Sequence, residues 1–444
     1  MKRWFLGGFV LLAALATVDF LIAQARGSRP LISFGFQELI AEAQAPIMVG
    51  LIHSQTGPLA ISEKSLIDAE VLALEEINAR GGVAGRRLKW EIADGRSDPA
   101  SFASQSLRLI EKEKAKVLVG SWTSECRKAI LAVVEKQENL LIFPANFEGI
   151  ESSPHIMYSG GSSANQVILP AIRWCFDALK ARKFYVVGTE EVWSRVMAEV
   201  AKDGVKAAGG EAVGESYLPL VGGDAEALVR SIQAAKPDVV LNLLVGDSNL
   251  PFYAAFRRAG LTAEKLPILG FSLAEDEVRR FPPGDVTGHY AGWAYFQSLD
   301  RQENTDFVRR FKVRYGQDRL ISDAMVAAYN GLMIWAEAAD EAGTADPKIV
   351  MTRFDRQSLD APEGIVTIDP ATRVAWRPFY VGKARNDGQF DIVWSITKPI
   401  QPISFVSTRS QEQWLILLDD LKKRWGGQWS SSEPIHPDPT RPAK

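Results

Sequence analysis

The chain has 444 residues, with 51 Lys and Arg against 54 Asp and Glu and a formal net charge of −3. That balance excludes a strongly basic nucleic-acid binder, which needs a clustered cationic excess against phosphates. Only one apolar stretch is long enough to span a bilayer, which excludes a multi-pass channel, and two Cys with four scattered His exclude a disulfide scaffold and a local zinc motif.

Lys2 and Arg3 precede an apolar run from Trp4 to Ala25 that ends in the small-x-small triplet Ala23-Gln24-Ala25. A second such triplet, Ala43-Gln44-Ala45, sits just before Pro46. Residues 1–45 therefore read as a signal peptide or an N-terminal membrane anchor plus linker, and either reading exports the rest of the chain. An oxidising compartment permits a Cys126–Cys175 disulfide, although both Cys lie in helical patterns and isolated buried thiols are the favoured reading.

From Pro46 onward, short apolar runs alternate with amphipathic helices. Ile47–Ile52 is a continuous apolar run of strand length, and Leu66, Ala69, Ala73 and Ile77 then share one helical face. Asp98-Pro99 pairs an N-cap with Pro at the first helical position. Val117–Gly120 reads as a strand, Ser124 opens a helix to about Gln137, and Leu140–Phe143 is the next strand. The alternation restarts with helix Gln166–Leu179, strand Phe184–Val187, helix Trp193–Ala208 and a strand near Ala212–Tyr217. Helix Asp224–Ala235, strand Val239–Leu244, helix Asn249–Ala259 and strand Ile268–Phe271 follow. Strands separated by helices of this length imply right-handed crossovers, and two such series imply two doubly wound parallel-sheet lobes of an α/β protein. Tyr290–Tyr295 reads as a return strand, with helices near Thr305–Tyr315 and Asp323–Ala342. Residues 364–396 read as short antiparallel strands around the Asn386-Asp387-Gly388 turn. Glu412–Arg424 is an amphipathic helix followed by Trp425 and Trp429, and 430–444 is Ser/Pro-rich and expected to be disordered.

No GxGxxG follows a strand and no GxxxxGK[ST] occurs, so nucleotide cradles are unsupported. Gly270–Ala274 resembles a nucleophile elbow around Ser272 only faintly, because its fifth position is Ala and Ser is common at strand–helix junctions. The informative residues lie just after strands, where parallel α/β sheets bind ligands. Five such segments stand out: His53–Gly57, Ser121–Ser124, Pro144–Gly149, Thr189–Trp193 and Gly246–Asn249. Singly each has an ordinary explanation: Ser124 and Ser248 fit as helix caps, and Trp122 and Phe147 fit as cover for a core edge. Together they imply a cleft between two lobes.

Ordered matches carry a family resemblance over residues 46–396. They include Gly50–Gly57, Ala73–Gly82, Trp122–Ser124 with Arg127-Lys128-Ala129, Phe147–Pro154, Tyr158-Ser159-Gly160, Gly246–Asn249 and Gly288–Ala291 with Tyr295–Ser298. On these the chain resembles the periplasmic substrate-binding proteins of ABC importers, in the branch that binds urea and short-chain amides, kin to the branched-chain amino-acid binders. The resemblance implies a type I periplasmic binding protein fold, with two lobes joined by three hinge strands. Lobe 1 would comprise 46–165 and 290–365, lobe 2 would comprise 166–289 and 366–400, and 401–429 would be a C-terminal helical extension. It implies ligand contacts at Trp122, Thr123 and Ser124, at Phe143 and Ala145, and from the other lobe at Glu191 and Asp247. An amide fits such a set: aromatic faces sandwich its plane, helix-start N–H groups meet its carbonyl and Asp247 accepts from its NH₂.

Two positions depart from the family. Its Tyr at Phe143 has lost the hydroxyl, and its Tyr at Glu191 has become a carboxylate. Glu191 either makes the pocket more negative, favouring N–H-rich or cationic ligands, or points to solvent. The implied partners are a small-molecule ligand and either ABC permease membrane subunits or a membrane sensor. The resemblance implies a periplasmic location, no catalytic residue, no cofactor, no metal and no nucleic acid.

Overall fold

The apolar run after Pro46 forms strand β1 (Ile47–His53), the second strand of a five-stranded parallel sheet. In this computed structural model, residues 45–282 and 284–433 are described. The sheet order is β2 (Leu88–Asp94), β1, β3 (Val117–Val119), β4 (Leu141–Phe143) and β5 (Ile156–Tyr158). Helices α1 (Ala60–Ala79), α2 (Pro99–Glu111) and α3 (Ser124–Lys136) supply the crossovers. Helix α2 starts as its sequence dictates: the Asp98 carboxylate accepts from the Ser101 N–H at 2.7 Å and Pro99 follows it.

The second lobe begins with α4 (Ala164–Ala178) and continues through β6 (Lys183–Thr189), α5 (Val192–Ala207), β7 (Glu211–Leu218), α6 (Ala225–Ala235), β8 (Val239–Leu243), α7 (Asn249–Arg258) and β9 (Ile268–Gly270). Strands β7, β6, β8 and β9 are parallel neighbours in that order. A short helix α8 (Glu275–Val278) leads to β10 (Tyr290–Trp293), which runs parallel to β9 and antiparallel to β13 (Ala375–Ala384). Strand β10 thus lies inside the second sheet, between β9 and β13, although 290–365 was expected in the first lobe. Alternation in sequence identifies such a strand but not the edge that receives it.

Helices α9 (Gln302–Tyr315) and α10 (Asp323–Ala342) pack back on the first lobe. Strands β11 (Ser358–Ala361) and β12 (Gly364–Ile368) form a hairpin beside α10, and β13 then runs from β12 to β10 and pairs with β14 (Phe390–Ile400). Strand β13 thus pairs with β12 at its start and with β10 further along. Arg377 on β13 is buried at this hinge. It donates to Gly160 O at 2.7 Å, to both Asp323 oxygens at 2.9 Å and to Glu363 at 2.9 Å, binding three segments of the hinge together.

Cys126 and Cys175 are free and buried. Among the described residues no helix is long and apolar enough to cross a membrane, and the 4–25 run lies outside them. The tail departs from expectation. Ser430 bridges to Glu191 and Ser431 is hydrogen-bonded, so order extends past the expected boundary at 430, while 434–444 lie outside the described residues.

The two lobes meet. Asp247 N–H donates to Pro58 O at 3.1 Å, Ser62 Oγ to Glu277, Ser65 Oγ to Asp276, and Asn146 Nδ2 to Phe271 O at 2.9 Å. Gly246 permits a close backbone approach: its φ is +56°, and a Cβ there would lie 2.7 Å from Pro58 O. Gly246→Ala is expected to shift the protein toward separated lobes, read as a larger radius of gyration by small-angle scattering. An unchanged radius would contradict this account of closure.

Candidate functional site

Five strands of the two sheets end at one place, and the turns after them wall a recess between the lobes with about 280 Å³ of empty space, its open mouth included. Its lining comes from Trp122 and Thr123 after β3, Ala145 and Asn146 after β4, Glu191 and Trp193 after β6, Val245 after β8, and Phe271 and Ser272 after β9. This is the position that parallel topology dictates, since helix starts and free loop side chains gather beyond the carboxyl ends of strands. Of the sequence-predicted residues, Trp122, Thr123, Ala145 and Glu191 come together here.

Ser124 and Phe143 stand beneath the cavity and not in its lining. Thr123, not Ser124, caps α3, accepting from the Cys126 N–H at 3.3 Å, which frees the Ser124 hydroxyl. That hydroxyl donates to Glu148 and accepts from Arg127 Nη1 at 2.7 Å. Arg127 is fully buried and also donates to Glu148 at 3.0 Å and to Glu151 at 3.1 Å. Its guanidinium carbon lies 5.1, 5.5 and 5.6 Å from the ring centres of Phe143, Phe147 and Tyr158. Burial opposes its charge, but Glu148 and Glu151 hold its pKa above the ordinary arginine value. The floor thus packs aromatic rings around a neutralised ion cluster.

Glu191 neither points to solvent nor stands as a bare charge. It caps α5, accepting from Trp193 N–H at 2.9 Å, Ser194 N–H at 2.7 Å and Ser194 Oγ at 2.8 Å. Burial pushes its pKa up to about 7 against these stabilising bonds. Asp247 is exposed and outside the lining, and it serves the lobe seam through its backbone N–H. The Ser272 hydroxyl, weighed above as a nucleophile, donates to the Leu244 carbonyl oxygen. In the first post-strand segment His53 lies buried between carboxylates, 3.3 Å from Glu63 and 2.7 Å from Glu70. Burial alone would lower its pKa, but Glu70 and Glu63 push it up to about 10, and it shores up the first lobe away from the cavity.

Sequence reasoning missed Asn146, Trp193, Val245 and Phe271 as lining residues. Asn146 Oδ1 and Trp193 Nε1 are buried polar atoms without a hydrogen-bond partner among the described residues. Asn146 is oriented by its Nδ2 bond to Phe271 O, leaving Oδ1 unpaired. Both residues fell inside post-strand segments rich in polar and aromatic types, and that was the available signal. Among the described lining residues there is no cationic side chain. Removing Arg127 is expected to strip Glu148 of its nearer cationic partner, leaving Lys128, 3.7 Å away, to compensate it. Arg127→Met should cost about 3–5 kcal/mol in denaturant unfolding, and a loss under about 1 kcal/mol would refute the role given to the cluster.

The profile of the periplasmic binding protein domain matches residues 47–411. A protein of Geobacillus stearothermophilus named limonene hydroxylase is 36% identical over 142 residues, covering 31% of this chain and 26% of that protein. An amino acid binding protein of Pseudomonas aeruginosa is 25% identical over 227 residues, covering 51% of this chain and 61% of that protein. The chain thus spans less than two thirds of the length of either relative. An ABC-transporter solute-binding protein from R. palustris, solved with 4-hydroxybenzoate, shares the fold with a TM-score of 0.73 at 22% identity, over 81% of this chain and 99% of that one. With two parallel-sheet lobes around an interlobe cavity and a family match over most of its length, the chain belongs to the periplasmic binding protein family.

Proposed function

We propose that this chain is an exported solute receptor that captures a small neutral amide, urea or a short-chain amide, and presents it to an ABC permease. The supporting observation is the donor and acceptor set of the cavity. Trp193 Nε1–H is an unpaired donor and Asn146 Oδ1 an unpaired acceptor, and a planar amide carries the complement of both. Trp122 and Trp193 supply aromatic surface for its plane.

Relatives bind other solutes, by name an amino acid in one case and 4-hydroxybenzoate in another. Both of those carry a carboxylate. Here the nearby guanidinium of Arg127 is committed to Glu148 and Glu151, and Glu191 would repel an anion whenever it is ionised. The lining therefore favours a neutral solute with N–H groups. Binding without turnover follows from the same picture: the solute bridges the lobes and holds them closed, and the permease reads the closed form.

Glu191 gives the reading a pH signature. Its folded-state pKa, about 7, lies above the ordinary 4.5, so its contribution to stability is full below pH 4.5 and is lost as pH rises through 7. A solute N–H directed at the ionised carboxylate favours that form, so affinity should rise with pH by up to about tenfold per unit below 7 and level off above it. Titration of tryptophan fluorescence with acetamide and urea tests this at pH 5.5 to 8.5. The expected result is saturable binding with that pH profile, a flat profile for Glu191→Gln and at least about tenfold weaker binding for Asn146→Leu. An absence of saturable binding by any small amide would overturn the proposal.

A further inference from the structure

The C-terminal extension spans both lobes, and the mouth of the cleft lies beneath it. Its anchor is on the second lobe. Arg409 donates to Glu199 at 2.6 Å and to Asp203 at 2.7 Å on α5, and its guanidinium carbon lies 4.9 Å from the ring centre of Trp414. Trp414 is buried in the first turn of helix α11 (Gln411–Arg424), with its Nε1–H on Val406 O at 2.8 Å. Beyond α11 the chain turns over the cleft. Trp425 Nε1–H donates to Glu190 at 3.1 Å, and 429–431 then pair with 190–192 as a short antiparallel ladder, Val192 N–H to Trp429 O at 2.9 Å and Ser431 N–H to Glu190 O at 3.0 Å.

The same few residues reach the first lobe. Ser430 Oγ donates to Glu125 at 2.7 Å, and Lys128 Nζ lies 4.6 Å from the ring centre of Trp429. Glu125 and Lys128 both belong to α3, whose start carries Thr123 of the inner cavity. Ser430–Ser432 also wall an outer chamber of about 790 Å³ that shares Thr123, Glu191 and Val245 with the inner cavity. A solute leaving by that chamber passes the tail.

We infer that residues 425–432 are a built-in latch: anchored on the second lobe, they tie it to α3 of the first and so govern lobe opening and solute release. This rests on reading the interlobe cavity as the binding site. The ties to the first lobe are the Ser430 hydroxyl and Trp429 backbone hydrogen bonds to Glu125 and the Lys128–Trp429 cation–π contact, a strength suited to repeated release and unlike a permanent joint.

The test separates the latch from the identity of the solute. Spin labels are placed at Ser104→Cys on α2 and Gln233→Cys on α6, both exposed, while the native Cys126 and Cys175 are buried. Interlobe distances are measured without solute in the full chain, and with Trp429→Ala or Ser430→Ala added. The latch predicts a broader, longer distance distribution in both variants, and stopped-flow release of acetamide at least about threefold faster. Unchanged distances in both variants, each with its circular dichroism spectrum intact, would overturn it. If acetamide fails to bind at all, the distances still decide the latch, and only the reading of the solute fails. Should Trp429→Ala not fold, Ser430→Ala, which removes one hydroxyl at a half-buried position, decides alone.

Discussion

The first-lobe wall of the candidate site rests on one buried cation. Arg127 lies in the first turns of α3, and its guanidinium holds Ser124, Glu148 and Glu151 at once. Those partners come from the helix start after β3 and from the loop after β4, so a single side chain sets the spacing of two of the turns that wall the cavity. The aromatic rings of Phe143, Phe147 and Tyr158 exclude water from the cluster, which strengthens each ion contact and makes each partner indispensable. Stability and site geometry are therefore the same interaction.

Much of the architecture was legible in the sequence because strand and helix periods differ and because parallel sheets need helical crossovers. The paired series of strands and helices, the hairpin region after 364 and the amphipathic helix near 412–424 all appear where the patterns put them. What escaped was set by tertiary placement. Strand β2 alternates Leu88, Lys89 and Glu91 at a sheet edge, so half of it faces water and the apolar run is broken. Strand β10 has a clear signal, but only the finished sheet shows that its partners are β9 and β13.

The site shows the same division. The rule that ligands gather beyond strand ends located the right turns, and Trp122, Thr123, Ala145 and Glu191 line the cavity. Which residue of a turn faces inward depends on backbone geometry that spacing does not encode. Ser124 is diverted by Arg127, Asp247 is turned outward at the lobe seam, and Asn146 and Trp193, one residue and two residues along from predicted positions, take inner places. The change to Glu at 191 looked like an added charge. In the fold it is a helix cap whose carboxylate is largely spent on backbone N–H groups. The aromatic tail, whose docking partner the sequence left open, packs on the chain's own second lobe and reaches the first.

The central claim is that the interlobe cavity selects neutral amides over carboxylates. Isothermal titration calorimetry at pH 7.5 with acetamide, urea, leucine and 4-hydroxybenzoate tests it most directly. The account predicts one-to-one binding of acetamide or urea and none of the two carboxylates. Saturable binding of leucine or 4-hydroxybenzoate with silence from the amides would contradict it.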